Sequence, residues 1–308
     1  MSQPTARLGR TGFETTRLGF GAMELAGFGG PLEDKEAERL LGSVLDAGIN
    51  LIDTAPDYGV SEELIGRHLA HRREEFFLAS KCACLVGREP AFKDGKLEHD
   101  FSGENVRAGV EQSLRRMKTD HLDLVQVHSS PSRAVLEEHG TIEAMEELRQ
   151  QGKVRFLGMS SVLPDLLDHI EMGVFDVFQI PYSLLQPEHE AVITRAAQAG
   201  AGTIIRGGVA RGAPARDRGD EEHGFWRAFV TEKRDLWARA KLDELLDGMP
   251  RMEFTMRFVL GHPDLHTTIV GTANPAHLAA NVEVAKQGPL PGDLLLEAKR
   301  RIGEAAGA

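Results

Sequence analysis

Short apolar runs alternate with amphipathic stretches along the whole chain. The runs fall at residues 18–23, 50–54, 76–81, 122–128, 156–160, 175–180, 203–206 and 267–271, each rich in Val, Ile, Leu or Phe and bounded by Gly or polar residues. Runs of this kind read as parallel strands buried on both faces. Between them, apolar residues recur at helical spacing. In residues 34–47 the positions Ala37, Leu40, Leu41, Val44 and Leu45 form one stripe, with Asp34 placed to cap the start and Gly48 to end it. Segments 61–68, 103–118, 142–151, 164–172, 188–199 and 275–286 repeat the theme. Eight strand–helix units in one unbroken series predict an α/β chain folded as a (β/α)8 TIM barrel rather than an open sheet. No composition break or linker interrupts the series, so a single domain is expected over residues 1–308.

Two stretches depart from the alternation. Residues 8–16 read as a short hairpin turning at Thr11 and Gly12, placed to plug the N-terminal end of the barrel. Residues 207–234 form a long stretch rich in Gly and Arg after the seventh strand, expected to be an irregular loop facing the C-terminal rim. A final helix is expected within residues 289–308.

Composition narrows the function. With 41% hydrophobic and 27% charged residues the chain is globular, and a net charge of −11 with no basic stripe argues against a nucleic-acid partner. The two cysteines, Cys82 and Cys84, would point the same way from one strand, a poor geometry for a disulfide, which suits a reducing compartment. Residues 1–10 lack the apolar core of a signal peptide, and no run is long enough to span a bilayer. A cytoplasmic protein without a membrane partner is expected.

Chemistry collects at the predicted strand ends. Asp53 ends the second strand, Tyr58 follows in its loop, Lys81 ends the third strand and His128 the fourth. Taken singly, these are a loop cap, a solvated lysine and a structural histidine. Taken together at neighbouring strand ends, they make a proton-transfer site. A free phenol holds its proton to about pH 10. A nearby ammonium, itself held by a carboxylate, would lower that value, while the histidine orients a substrate oxygen. Other motifs are absent. Gly19-Phe20-Gly21 lacks the third glycine of a dinucleotide fingerprint, and no zinc-protease, nucleophile-elbow or Walker pattern occurs. Cys82-Ala83-Cys84 with His128 does not have a zinc spacing, so no metal is expected.

The stretch Asp53-Thr54-Ala55-Pro56-Asp57-Tyr58-Gly59, with Ser61, Glu62 and Gly66, resembles the signature around the catalytic tyrosine of aldo-keto reductases. The segment from Ser113 through Asp123 to His128 is similar to that family's second signature. The likeness continues at Gly158-Met159-Ser160, Gln179 to Ser183, and Val270-Gly271-Thr272 through Asn281, in order along nearly the whole chain. The resemblance implies a catalytic tetrad of Asp53, Tyr58, Lys81 and His128 and a nicotinamide cofactor across the barrel mouth, with NADP(H) favoured and NAD(H) possible. It implies that Ser160, Ser161 and Gln179 meet the carboxamide and that Gly21, Ala22 and Met23 lie under the nicotinamide end, beside Asp53. Gly271 and Thr272, read as opening the last helix of the repeat, would hold the adenosine phosphate, and Asn281 the adenine. Four positions depart from the common pattern. Ser161 stands where many members carry Asn, Arg206 where many carry a stacking aromatic, and Gly271 and His277 where many carry cations for the NADP 2′-phosphate.

The expected reaction is reduction of a small-molecule aldehyde or ketone, or oxidation of a hydroxyl compound such as a sugar. The alternative is a non-catalytic, nucleotide-sensing regulatory subunit on the same barrel. The loops 25–33, 85–101, 129–138 and 207–234 are expected to set specificity, with Phe225 and Trp226 over the pocket or packed on the barrel.

Overall fold

A computed structural model of the chain describes residues 3–26, 32–87, 92–93, 96–215 and 227–307. Eight parallel strands close into a barrel. They are β3 (Leu18–Gly21), β4 (Leu51–Asp53), β5 (Phe77–Cys82), β8 (Leu122–Val127), β9 (Val154–Ser160), β10 (Val177–Pro181), β11 (Gly202–Arg206) and β12 (Thr267–Val270). The order around the barrel is β10-β11-β12-β3-β4-β5-β8-β9, and β9 returns to β10. The expected (β/α)8 barrel is therefore present, with strand ends shifted by a few residues.

Apart from the start of β9, where Arg155 is exposed, each strand is buried or half-buried on both faces, which is why its sequence is nearly continuous in apolar residues. Alternation still sorts the two faces. Leu51, Phe77, Ala79, Leu124, Val177 and Ile204 form an inner cluster. The outer positions, among them Ile52, Leu78, Val125 and Phe178, pack under the helices in a second, larger cluster. Two residues after an inner apolar position, the next inward position is polar: Asp53 after Leu51, Lys81 after Ala79, Gln126 after Leu124, Gln179 after Val177. The barrel interior is thus apolar below and polar at its C-terminal end, the usual location of a barrel enzyme's chemistry.

The N-terminal end is closed by a hairpin of β1 (Thr5–Arg7) and β2 (Glu14–Thr16), paired antiparallel with Thr5 opposite Thr16. Its first strand starts three residues earlier than the expected 8–16. Between the strands, Leu8 enters the inner cluster and is fully buried. The approach requires glycine. Gly9 has φ +48°, and a Cβ on it would lie 2.3 Å from the backbone nitrogen of Gly202.

The helices follow the amphipathic stripes, with some corrections. In α1 (Asp34–Asp46) the cap is Glu33, which closes a capping box with Glu36; Asp34 sits in the first turn and pairs with Arg67. The expected loop 207–234 contains a 3-10 turn at Ala210–Gly212 and then the start of α8 (Arg227–Arg239), whose Val230, Leu236 and Trp237 are buried. Phe225 and Trp226 lie outside the described residues. Within the expected loop 129–138, α4 (Arg133–Glu138) is capped by Ser132, and within 85–101 a small hairpin pairs β6 (Phe92–Lys93) with β7 (Lys96–Leu97). The expected final helix is α11 (Gly292–Ala306). No helix among the described residues is long and apolar enough to cross a membrane.

Leu8→Ala tests the plug. It removes side-chain volume at the floor of the inner cluster and should cost about 2–5 kcal/mol. The check is urea unfolding, where the midpoint should fall at unchanged slope. An unchanged midpoint would mean that the hairpin does not support the barrel.

Candidate active site

One carboxylate oxygen organises the rim. Asp53 Oδ1, at the end of β4, accepts from Lys81 Nζ at 2.6 Å, from Gln126 Nε2 at 2.8 Å and from Gln179 Nε2 at 2.9 Å. The donors come from β5, β8 and β10, so the contact ties four strands through one buried charge. Lys81 is fully buried and also donates to the Thr54 carbonyl at 3.0 Å. Ser160, ending β9, extends the network by donating to Gln179 Oε1 at 3.3 Å. Gly158 leaves room for it: a Cβ there would lie 2.9 Å from Gln126 Cγ.

Tyr58 and His128 stand beside this network. The Lys81 ammonium lies 6.0 Å from the centre of the Tyr58 ring, and the His128 ring meets Tyr58 edge-on with centres 6.0 Å apart. Burial pushes the Tyr58 phenol well above its ordinary value, and the Asp53 charge adds to it; Arg206 and Arg211 pull the other way and do not prevail. The net shift is upward, against the expected lowering, because burial disfavours the phenolate more than the nearby cations favour it. Tyr58 therefore carries its proton at neutral pH. Burial also pushes His128 down, against its hydrogen bond to the accepting Asp57 carboxylate, so its imidazole is neutral there.

The other expected site residues are spread around the rim. Gly21 ends β3, and Ala22 and Met23 continue in a 3-10 turn at Ala22–Ala26. Gly271 approaches Gly21 so closely that a Cβ on it would lie 2.6 Å from the Gly21 carbonyl oxygen and 3.2 Å from Glu24 Cγ. Gly271 and Thr272 do not open the helix that follows. The cap of α10 (Pro275–Gln287) is Asn274, whose side chain accepts from the Ala276 amide at 2.9 Å. His277 and Asn281 lie one turn apart on that helix, exposed and half-buried respectively. The Ser161 hydroxyl is buried and shared between His169 Nδ1 at 2.8 Å and Ser130 Oγ at 2.9 Å. Arg206 and Arg211 border a cleft of about 190 Å³ with Pro181, Gln186 and Phe229. Burial lowers both guanidinium values, and the Arg206 charge contributes to bringing Arg211 to about 10.

Four residues were missed by sequence reasoning as site members. Gln126 is one. Its only signal is an amide inside an otherwise apolar strand. The others form a group behind His128. Asp57 Oδ2 lies 3.2 Å from His128 Nδ1 and 3.6 Å from His99 Nε2, and Cys84 Sγ lies 3.3 Å from His128 Nδ1. Cys84 does not continue the strand beside Cys82. Ala83 takes φ 70°, and Cys84 instead forms a β-bridge opposite His99.

The Asp53 cluster has a testable energetic signature. Asp53→Ala would leave the Lys81 ammonium buried and unpaired, at a cost of about 3–5 kcal/mol. Adding Lys81→Met removes the orphaned charge, so the double variant should be more stable than Asp53→Ala alone in urea unfolding. A double variant less stable than the single would contradict the pairing.

Comparison with known proteins identifies the family to which this barrel belongs. A sequence model described as "Aldo/keto reductase family" matches residues 17–294. Among curated relatives, the L-galactose dehydrogenase of Arabidopsis thaliana is 28% identical over 89% of this chain and 86% of its own length. The D-threo-aldose 1-dehydrogenase of a Pseudomonas species is 28% identical over 92% and 94%. Among solved structures, an aldo-keto reductase from Bacillus halodurans in its holo form superposes with a TM-score of 0.80 at 28% identity, covering 98% of this chain and 96% of that one. The glycerol dehydrogenase of Gluconobacter oxydans superposes with a TM-score of 0.81 at 26% identity, covering 100% and 98%. The chain belongs to the aldo/keto reductase family of oxidoreductases.

Proposed function

We propose that the chain interconverts a carbonyl compound and its alcohol, with a nicotinamide dinucleotide as redox partner and Tyr58 as the proton donor in the reducing direction. The observation that carries this reading is the Tyr58 phenol standing beside the buried Lys81 ammonium and the His128 ring at the barrel rim. When bound, the nicotinamide supplies the hydride. Tyr58 delivers its proton to the substrate oxygen as negative charge develops there. The Lys81 ammonium then stabilises the phenolate left behind, and Asp53, Gln126 and Gln179 keep that ammonium in place. His128, neutral, orients the substrate oxygen.

The rim residues fit a dinucleotide. Arg206 and Arg211 place two partly buried cations at one cleft, and an anionic diphosphate relieves their mutual repulsion. Ser160 and Gln179 offer a hydroxyl and an amide to a carboxamide. At the Gly271 end the residues pull against a strict NADP(H) preference. No side chain projects from Gly271, His277 is exposed, and the Glu24 side chain packs beside Gly271. The proposal is therefore a nicotinamide dinucleotide of either kind. The relatives named for L-galactose, D-threo-aldose and glycerol support a polyhydroxylated substrate.

Tyr58→Phe should keep the fold and nucleotide binding while losing turnover on the order of 100-fold or more. The check is steady-state reduction of a hydroxyaldehyde panel with NADPH and with NADH. A variant as active as the parent would show that the proton comes from elsewhere.

A further inference from the structure

The group behind His128 has a chemistry that the proton transfer does not use. Asp57 Oδ2, Cys84 Sγ, His99 Nε2 and His128 Nδ1 belong to side chains whose candidate ligand atoms all lie within 4.8 Å of one another. The side chains of Asp57 and His99 are 6% and 5% exposed, and Cys84 is buried. One sulfur, two imidazoles and one carboxylate make a borderline-soft donor set suited to zinc.

His128 Nδ1 is within hydrogen-bond distance of Asp57 and Cys84, and three features suit the group to a ligand as well. The first is His99. Its Nδ1 lies 2.9 Å from the Leu97 carbonyl oxygen, which can only accept, so in the neutral ring the proton is on Nδ1. Nε2 then presents a lone pair, buried and without a hydrogen-bond partner, towards the Asp57 carboxylate at 3.6 Å. Two electron-rich atoms face each other with nothing between them, an arrangement that a cation would relieve. An imidazole that donates its other N–H to a backbone carbonyl is also the usual outer-shell arrangement of a metal-bound histidine.

The second feature is spacing. In a tetrahedral zinc site with bonds of about 2.0–2.3 Å, ligand atoms sit about 3.3–3.7 Å apart. Three of the six separations here are 3.2, 3.3 and 3.6 Å, and all lie within 4.8 Å. The third is charge. A dication bound by one carboxylate and one thiolate leaves no net charge in a buried place.

We infer that Asp57, Cys84, His99 and His128 form a closed, four-ligand site for zinc or a similar divalent transition metal. Binding replaces the Cys84 S–H bond with a metal–sulfur bond and releases that proton to solvent. The metal would join the loop after β4, which carries Tyr58, to the end of β8 and to the β-bridge after β5. It would do so through His128 Nδ1, leaving the ring's other nitrogen towards the rim. The ligands come from three separate connections, so no sequence spacing announces them.

The test uses the full chain without an affinity tag, stripped with a chelator and titrated with Co2+ under reducing conditions. The expected result is one equivalent bound, with the intense visible bands of tetrahedral cobalt and a thiolate-to-cobalt charge-transfer band, all removed by stoichiometric Zn2+. Cys82→Ser should keep the charge-transfer band and Cys84→Ser should lose it. His99→Ala should weaken Co2+ binding by 10-fold or more. Zn2+ should raise the melting temperature of the stripped protein and Mg2+ should not. No charge-transfer band in the parent protein, or its loss in Cys82→Ser, would overturn the inference, and either result stands even if Cys84→Ser fails to fold.

Discussion

A single carboxylate oxygen, Asp53 Oδ1, receives three donors from three different strands, and the geometry of the rim follows from that contact. Lys81 is fully buried, and an ammonium in such a place is tolerated only when paired and hydrogen-bonded. Asp53 meets that demand. Gln126 and Gln179 fill the remaining capacity of the same oxygen, and Ser160 in turn holds Gln179. Removing the carboxylate would orphan one charge and two amides at once. The cluster therefore fixes the ends of β4, β5, β8 and β10 relative to one another, and those ends are where the chemistry stands.

The consequence for Tyr58 is indirect. Burial and the Asp53 charge outweigh the nearby cations and hold the proton on the phenol. The rim is thus prepared as an acid with a cation in reserve, suited to protonating an oxygen and then stabilising the phenolate. At the end of β11 and in the turn after it, Arg206 and Arg211 keep positive charge beside a cleft. The polar roof sits on an apolar interior that is sealed below by Leu8, so the barrel's stability and its reactive end are built from the same alternation along each strand.

That alternation explains what could be read from the sequence. Asp53 and Lys81 each lie two residues beyond an inward apolar position, Leu51 and Ala79, so a strand assignment alone places them at the rim. His128 follows directly after the end of β8. Gln126 obeys the same rule but is hidden, since an amide within Leu122–Val127 carries no distinctive signal until its partner is known. The positions that were misjudged depend on local turns. The Asn274 cap arises from a side chain bonding two residues ahead, and the Cys84–His99 bridge arises from a left-handed Ala83 that ends the strand. The helix α8 was concealed because its buried stripe is only Val230, Leu236 and Trp237 in an otherwise charged segment.

The account stands most directly on whether the assembled rim receives a nicotinamide dinucleotide. Calorimetric titration of the full chain with NADPH and NADH in parallel measures this without assuming a substrate. The account predicts saturable, one-to-one binding of at least one of the two, with the ratio of affinities reporting what Gly271, His277 and Glu24 do at the adenosine end. Silence with both nucleotides would contradict it and leave Asp53, Lys81, Tyr58 and His128 as a scaffold without its redox partner.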